Sequence, residues 1–175
     1  MTGPLGVLWL TGLSGAGKST VAGLVRDGLL ALGGCPVLLD GDGLREIVPV
    51  RLGYGRDDRL RLAMFYARLA NQLAGQGHLV ICSTVSLFHQ VQAWNRANTP
   101  GYVEVWLRVP ISELAERRSA LYGAEAASGD VVGLDCPAEF PVAPDLIIDN
   151  HGDVGPDNAA ERILRALTGS FRAAG

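Results

Sequence analysis

Cysteine is scarce in this chain and forms no pattern. Cys35, Cys82 and Cys136 are odd in number, widely spaced and free of any C-x-x-C pair. That excludes a disulfide-stapled scaffold and points to free or buried thiols in a reducing cytoplasm. Long apolar runs are also missing, and nothing reaches membrane-spanning length. The apolar N-terminus lacks a basic region, is too short for a secretory signal and leads straight into a glycine-rich loop. Charge is limited: 19% of residues are charged, with a formal net charge of -3. That balance argues against nucleic-acid partners, whereas a nucleotide-sized anion needs only local positive charge. His78, His89 and His151 share no metal-ligand spacing. There is no internal repeat and no low-complexity tract.

What remains is 175 residues, of which 48% are hydrophobic. This suits one compact α/β domain over 1–175, large enough to bury a substantial core. Strands are expected at Leu5–Leu10, Pro36–Leu39, His78–Cys82, Tyr102–Val109 and Asp145–Asp149, apolar enough to be buried on both faces. Between them lie helical patterns: one from Lys18 to the Gly33-Gly34 stop, then Gly43–Val50, Asp57–Ala74, Ser86–Ala97, Ile111–Arg118 and Pro156–Leu167. Alternation of this kind predicts a five-stranded parallel sheet with helices on both faces. The segment at about 119–141 has little periodicity and is expected to be a functional lid.

The stretch Gly12-Leu13-Ser14-Gly15-Ala16-Gly17-Lys18-Ser19-Thr20 carries the strongest signal. It fits G-x-x-x-x-G-K-[ST], placed between a strand and a helix as a phosphate-binding loop requires. Glycines let backbone N–H groups turn inward on a polyphosphate, and the following helix N-terminus adds partial positive charge. Lys18 is suited to the β- and γ-phosphates of ATP and Ser19 to Mg²⁺.

Ligands of parallel sheets gather beyond the carboxyl ends of the strands. The loop, Asp40-Gly41-Asp42 and Ser83-Thr84-Val85-Ser86 therefore meet on one edge. Of the two carboxylates, one can hold the metal, directly or through water, and the other can accept the proton of an attacking hydroxyl. The alternative is structural, with Asp42 as an N-cap for the next helix. Arg45 and Arg59 are candidates to grip an anionic acceptor, whereas Arg56 and Arg61 read as solvated surface charge. Arg117 and Arg118 flank the lid, where a guanidinium can neutralise a transferring phosphoryl group or can simply be exposed. Trp9 and Trp106 read as core residues.

Val7 to Thr20, the Leu39-Asp40-Gly41-Asp42-Gly43-Leu44-Arg45 segment, Leu52-Gly53-Tyr54 with Asp58-Arg59, Gly133-Leu134-Asp135 and Pro144-Asp145-Leu146 together resemble the adenylyl-sulfate kinases, a family of small P-loop kinases. The resemblance implies transfer of the γ-phosphoryl group of Mg-ATP to the ribose 3′-hydroxyl of adenylyl sulfate. It implies Asp42 as base, with Asp40 and Ser19 organising Mg²⁺. Lys18, the loop residues and Arg117 would bind ATP. Asp40, Arg45, Tyr54, Arg59, Thr84, Ser86 and Leu134 would border the acceptor, and the protein would be a cytoplasmic homodimer. The departures lie on the acceptor side. Leu62 and Ala63-Met64-Phe65 stand where the family has an asparagine and an I-R-R triplet. Val131-Val132-Gly133-Leu134-Asp135 replaces F-T-G-[IV]-D, removing an aromatic that clamps adenine. With Ser83-Thr84-Val85-Ser86-Leu87-Phe88, these positions are similar to a smaller branch, the cytidine diphosphoramidate kinases. That branch implies the same chemistry on a cytidine nucleotide.

Overall fold

The computed structural model describes residues 6–49, 52–122, 137–152 and 154–172. Five strands and six helices alternate: β1 (Val7–Thr11), α1 (Lys18–Ala31), β2 (Val37–Asp40), α2 (Gly41–Ile47), α3 (Arg56–Ala74), β3 (Val80–Ser83), α4 (His89–Asn98), β4 (Tyr102–Arg108), α5 (Ile111–Tyr122), β5 (Leu146–Asp149) and α6 (Pro156–Arg172). The strands form one sheet in the order β2-β3-β1-β4-β5, and every pairing is parallel. The expected doubly covered parallel sheet is thus present.

Strand side chains alternate between two cores, as the two-residue period demands. Leu8 and Leu10 of β1 face Val21 and Val25 of α1 and Ile163 of α6. Val7 and Trp9 face the opposite way, into Ala63, Ala67 and Ala70 of α3 and Val91 of α4. Because β3 lies between β1 and β2, the chain end of β2 is carried one strand away from the glycine-rich loop. A crevice opens there, above Ser83, which is paired in register with both Leu10 and Asp40.

Several boundaries differ from expectation for local reasons. Helix α2 begins at Gly41, because the Asp40 side chain accepts the Asp42 backbone N–H at 3.1 Å. The N-cap is therefore Asp40, not Asp42. Helix α4 begins at His89, leaving Thr84–Phe88 as irregular chain in which Ser86 holds φ 21. Helices α5 and α6 run on to Tyr122 and Arg172. Trp9 is fully buried, as expected of a core residue. Trp106 is not: it is half-buried and packs on Phe140, with ring centroids 5.2 Å apart.

Polar groups also enter the interior. Glu104, in β4, is buried, and its carboxylate takes bonds from Arg96 and Tyr102, both at 3.2 Å. Burial raises its pKa from the ordinary carboxylate value against the pull of Arg96. Nothing in the apolar reading of this strand separates such a residue from its neighbours.

Candidate active site

The loop between β1 and α1 approaches the sheet closely. A Cβ added to Gly12 would stand 2.5 Å from the backbone oxygen of Leu107. Gly15 and Gly17 hold φ of 82 and 83, a region that L side chains avoid. Lys18 folds back over this loop: it is 9% exposed and donates through Nζ to the Leu13 carbonyl at 2.9 Å.

A cavity of about 350 Å³ opens beyond the ends of β1, β2 and β3. Ser14, Gly15, Gly17, Lys18, Ser19 and Thr20 form one wall, Asp40, Asp42, Arg45 and Arg59 another, and Ser83, Thr84, Ser86 and Phe88 the floor. Ser19 Oγ donates to Asp40 Oδ2 at 2.6 Å, so the hydroxyl and carboxylate are already joined at the cavity edge. Asp42, one residue into α2, is exposed and borders the same space.

Arg45 and Arg59 both reach the cavity, and both are held by the loop between α2 and α3. Arg45 donates to the carbonyls of Leu52 at 2.7 Å and Gly53 at 2.8 Å. Arg59 donates through Nε to the Tyr54 carbonyl. Their guanidinium carbons lie 4.2 and 5.4 Å from the centre of the Tyr54 ring. Tyr54 is itself 58% exposed and is not part of the cavity wall. Its action on the acceptor would therefore pass through these two arginines. The Gly53 N–H donates to Asp58 Oδ2 at 2.9 Å, which fixes the turn.

On the floor, Thr84 Oγ1 and Ser86 Oγ are 2.8 Å apart and buried, and Ser83 Oγ is buried with no partner among the described residues. Tyr66 also lines the cavity and donates its hydroxyl to the Gly41 carbonyl at 2.8 Å. Burial raises its pKa from the ordinary phenol value, with Arg45 opposing. Sequence reasoning missed Tyr66, since within the α3 pattern it reads as one more core aromatic.

It also missed Asn150. This buried side chain follows β5 and donates through Nδ2 to the Ala16 carbonyl of the loop at 2.9 Å. Its own backbone carbonyl accepts from Arg117 at 2.9 Å, while Glu113 holds the same guanidinium at 2.6 Å. Arg117 is thereby connected to the loop, one residue removed. A polar residue at a strand's carboxyl end was the available signal. Leu134, most of the expected lid and the Arg118 side chain lie outside the described residues.

Two surface expectations divide. Arg61 is 74% exposed, 3.6 Å from Asp58, and behaves as solvated charge. Arg56 is exposed as well, at 52%, but it also pairs with Glu139 at 2.5 Å and lies 5.5 Å from the centre of the Phe88 ring. Cys82 is buried, with its thiol pKa pushed up by burial, while Cys35 is exposed. Cys136 lies outside the described residues.

Among the described residues no trio of His, Cys, Asp or Glu is arranged to hold a metal ion. Mg²⁺ does not need one, since it keeps several waters and is bound through one or two carboxylates plus substrate phosphates. The hard oxygens of Ser19 and Asp40 fit that demand. Among the described residues no helix is long and apolar enough to cross a membrane.

Comparison with known proteins bears on the whole of this arrangement. Residues 5–149 match the family model described as adenylylsulphate kinase. The chain is 36% identical over 166 residues to the adenylyl-sulfate kinase of Pseudomonas aeruginosa, covering 92% of this chain and 84% of the relative. It is 33% identical over 164 residues to the cytidine diphosphoramidate kinase of Campylobacter jejuni, covering 92% and 95%. The solved structure of the Mycobacterium tuberculosis APS kinase CysC in complex with AMPPNP and APS superposes with a TM-score of 0.82 at 33% identity, over 95% of this chain and 99% of that one. Motif, strand order and these likenesses agree over nearly the full length, and the chain belongs to the adenylylsulphate kinase family.

Proposed function

We propose that this protein moves the γ-phosphoryl group of ATP onto the ribose 3′-hydroxyl of adenylyl sulfate. One observation carries the reading: the phosphate loop, the Ser19–Asp40 pair, Asp42 and the two arginines all border a single cavity. Loop amides and Lys18 hold the polyphosphate, with Lys18 exchanging the Leu13 carbonyl for phosphate oxygens. Ser19 and Asp40 would hold Mg²⁺, which would supply charge neutralisation to the transferring phosphoryl group. Arg45 and Arg59, fixed by their carbonyl bonds, grip the acceptor's anionic bridge. Asp42 takes the proton as the hydroxyl oxygen bonds to the γ-phosphorus and the bond to the β-phosphate oxygen breaks, releasing ADP. Water exclusion protects the phosphoryl group from hydrolysis. A homodimer working in the cytoplasm is part of this reading, as the family resemblance implies.

A second reading has a specific observation in its favour. The cavity floor is Ser83-Thr84-Val85-Ser86 with Phe88, and its α3 side presents Leu62 and Ala63. These are the positions that resemble the cytidine diphosphoramidate branch, and they supply small hydroxyls and apolar surface to an acceptor base. The test is a phosphoryl-transfer screen of adenylyl sulfate against cytidine diphosphoramidate and other cytidine nucleotides, with ADP-bound protein assayed for acceptor binding in parallel. Transfer to adenylyl sulfate with the higher kcat/KM is the expected result. In Asp42→Asn, kcat should collapse while ATP still binds. Tight ATP binding by the wild type without transfer to any nucleotide would refute the kinase reading and leave a nucleotide-binding regulatory domain.

A further inference from the structure

Residues 139–145 return along one stripe of α4. His89, Gln92 and Arg96 recur about a turn apart on that helix, and each is bonded to the returning chain. The His89 ring shares a hydrogen bond with the Phe140 carbonyl at 2.9 Å, Gln92 donates to the Glu139 carbonyl at 3.0 Å, and Arg96 donates to the Ala143 carbonyl at 2.5 Å. The strap is therefore fixed to the helix along its length.

Its first anchor is Glu139. Phe88, the N-cap of α4, has no side chain able to satisfy the free amides of the first turn. Glu139 supplies the missing acceptor from another part of the chain: its Oε2 takes the His89 backbone N–H at 2.7 Å. A carboxylate there also meets the positive end of the helix. Oε1 pairs with Arg56, whose guanidinium lies over the Phe88 ring. The His89 amide bond, followed by Arg56, holds the Glu139 carboxyl below its ordinary value. Phe88 walls the cavity, and so does Arg59, one turn beyond Arg56 on α3. Glu139 itself does not line the cavity, yet it joins the two elements that do.

We propose that Glu139 is a positioning residue for the acceptor: by capping α4 and holding Arg56 over Phe88, it sets the wall against which the nucleotide is read. This rests on the cavity being the acceptor site.

The experiment compares wild type, Glu139→Ala, Glu139→Gln, Arg56→Met and the Arg56→Met/Glu139→Ala double variant, using whichever nucleotide the wild type phosphorylates. Loss of charge-assisted bonds of this kind predicts an acceptor KM raised about tenfold in Glu139→Ala, with the KM for ATP within about twofold of wild type. Glu139→Gln keeps an acceptor for the His89 amide and should lie between. Because the two residues act as a unit, the double variant should be no worse than Glu139→Ala alone. Equal rises in both KM values, or additive effects in the double variant, would overturn the proposal. Amide hydrogen exchange decides the structural half without turnover: residues 84–91 should lose protection in Glu139→Ala, and unchanged protection would refute it. A wild type that phosphorylates no nucleotide would refute the acceptor reading and this inference with it, whereas an active wild type with an unmoved acceptor KM would refute the inference alone.

Discussion

Asp40 carries two duties that a pair of substitutions can separate. Its carboxylate caps α2 through the Asp42 N–H and accepts the Ser19 hydroxyl at 2.6 Å. Asp40→Ala removes both. An N-cap is worth about 1 kcal/mol, and the exposed hydroxyl bond about 1 kcal/mol more after solvent competition, so the loss is about 2 kcal/mol. For a chain of this size, each kcal/mol moves Tm by about 2–4 °C, giving a fall of about 4–8 °C in a thermal melt. Asp40→Asn is different. Asparagine caps as well as aspartate, and the Ser19 hydroxyl can rotate to accept from its amide, so Tm should move by less than about 2 °C. The negative charge offered to Mg²⁺ is nevertheless gone. Titrating Mg²⁺ in an ADP-release assay should show metal dependence weakened by about 10–100-fold in both variants. If Asn lost as much Tm as Ala, charge and not capping would be holding the helix. If Asn kept full activity at limiting Mg²⁺, the metal assignment to Asp40 would fall.

The remaining predictions are shorter. Lys18→Ala should lose about 3 kcal/mol of transition-state stabilisation, measured as kcat/KM, as removal of one electrostatic donor does; near-normal turnover would refute the assignment. Gly12→Ala should destabilise the fold by about 1–3 kcal/mol in urea unfolding, because its Cβ would stand 2.5 Å from a backbone oxygen that cannot turn aside. The Glu139 carboxyl is held below its ordinary value of 4.5. Its stabilising contribution is therefore full above that value and lost as pH falls through the lowered folded-state pKa. The stability gap between wild type and Glu139→Gln should accordingly close on acidification, and a gap that closed on alkalinisation would contradict the assignment.

Local pattern was enough where function depends on neighbours in sequence. Gly12 to Thr20 needs only its own spacing and a strand before it, and strand alternation alone yields the parallel sheet. Asp40 and Asp42 could be placed on the ligand edge, but their roles in the helix cap could not be divided, because capping depends on one backbone angle at the strand's end. Residues whose meaning lies in distant partners stayed hidden. Arg56 reads as surface charge until Glu139, 83 residues away, is brought beside it. Asn150 carries no sequence signal beyond its place at a strand's end until the sheet brings it against Ala16, 134 residues earlier. Trp106 looks like its apolar neighbours, and only the return of Phe140 shows which side of it stays open. Of these pairs, the one between Arg56 and Glu139 adjoins Phe88 on the cavity, so that side of the site is less legible in sequence than the phosphate loop.

The nearly buried ammonium of Lys18 has a practical corollary, since the 175 residues contain no other lysine. Amine-reactive dyes, biotin esters and lysine cross-linkers find no second side chain to acylate. An adduct mapped to Lys18 by peptide mass, and so told apart from one on the chain's α-amino group, would accordingly report nucleotide occupancy, with the fourteen arginines left untouched.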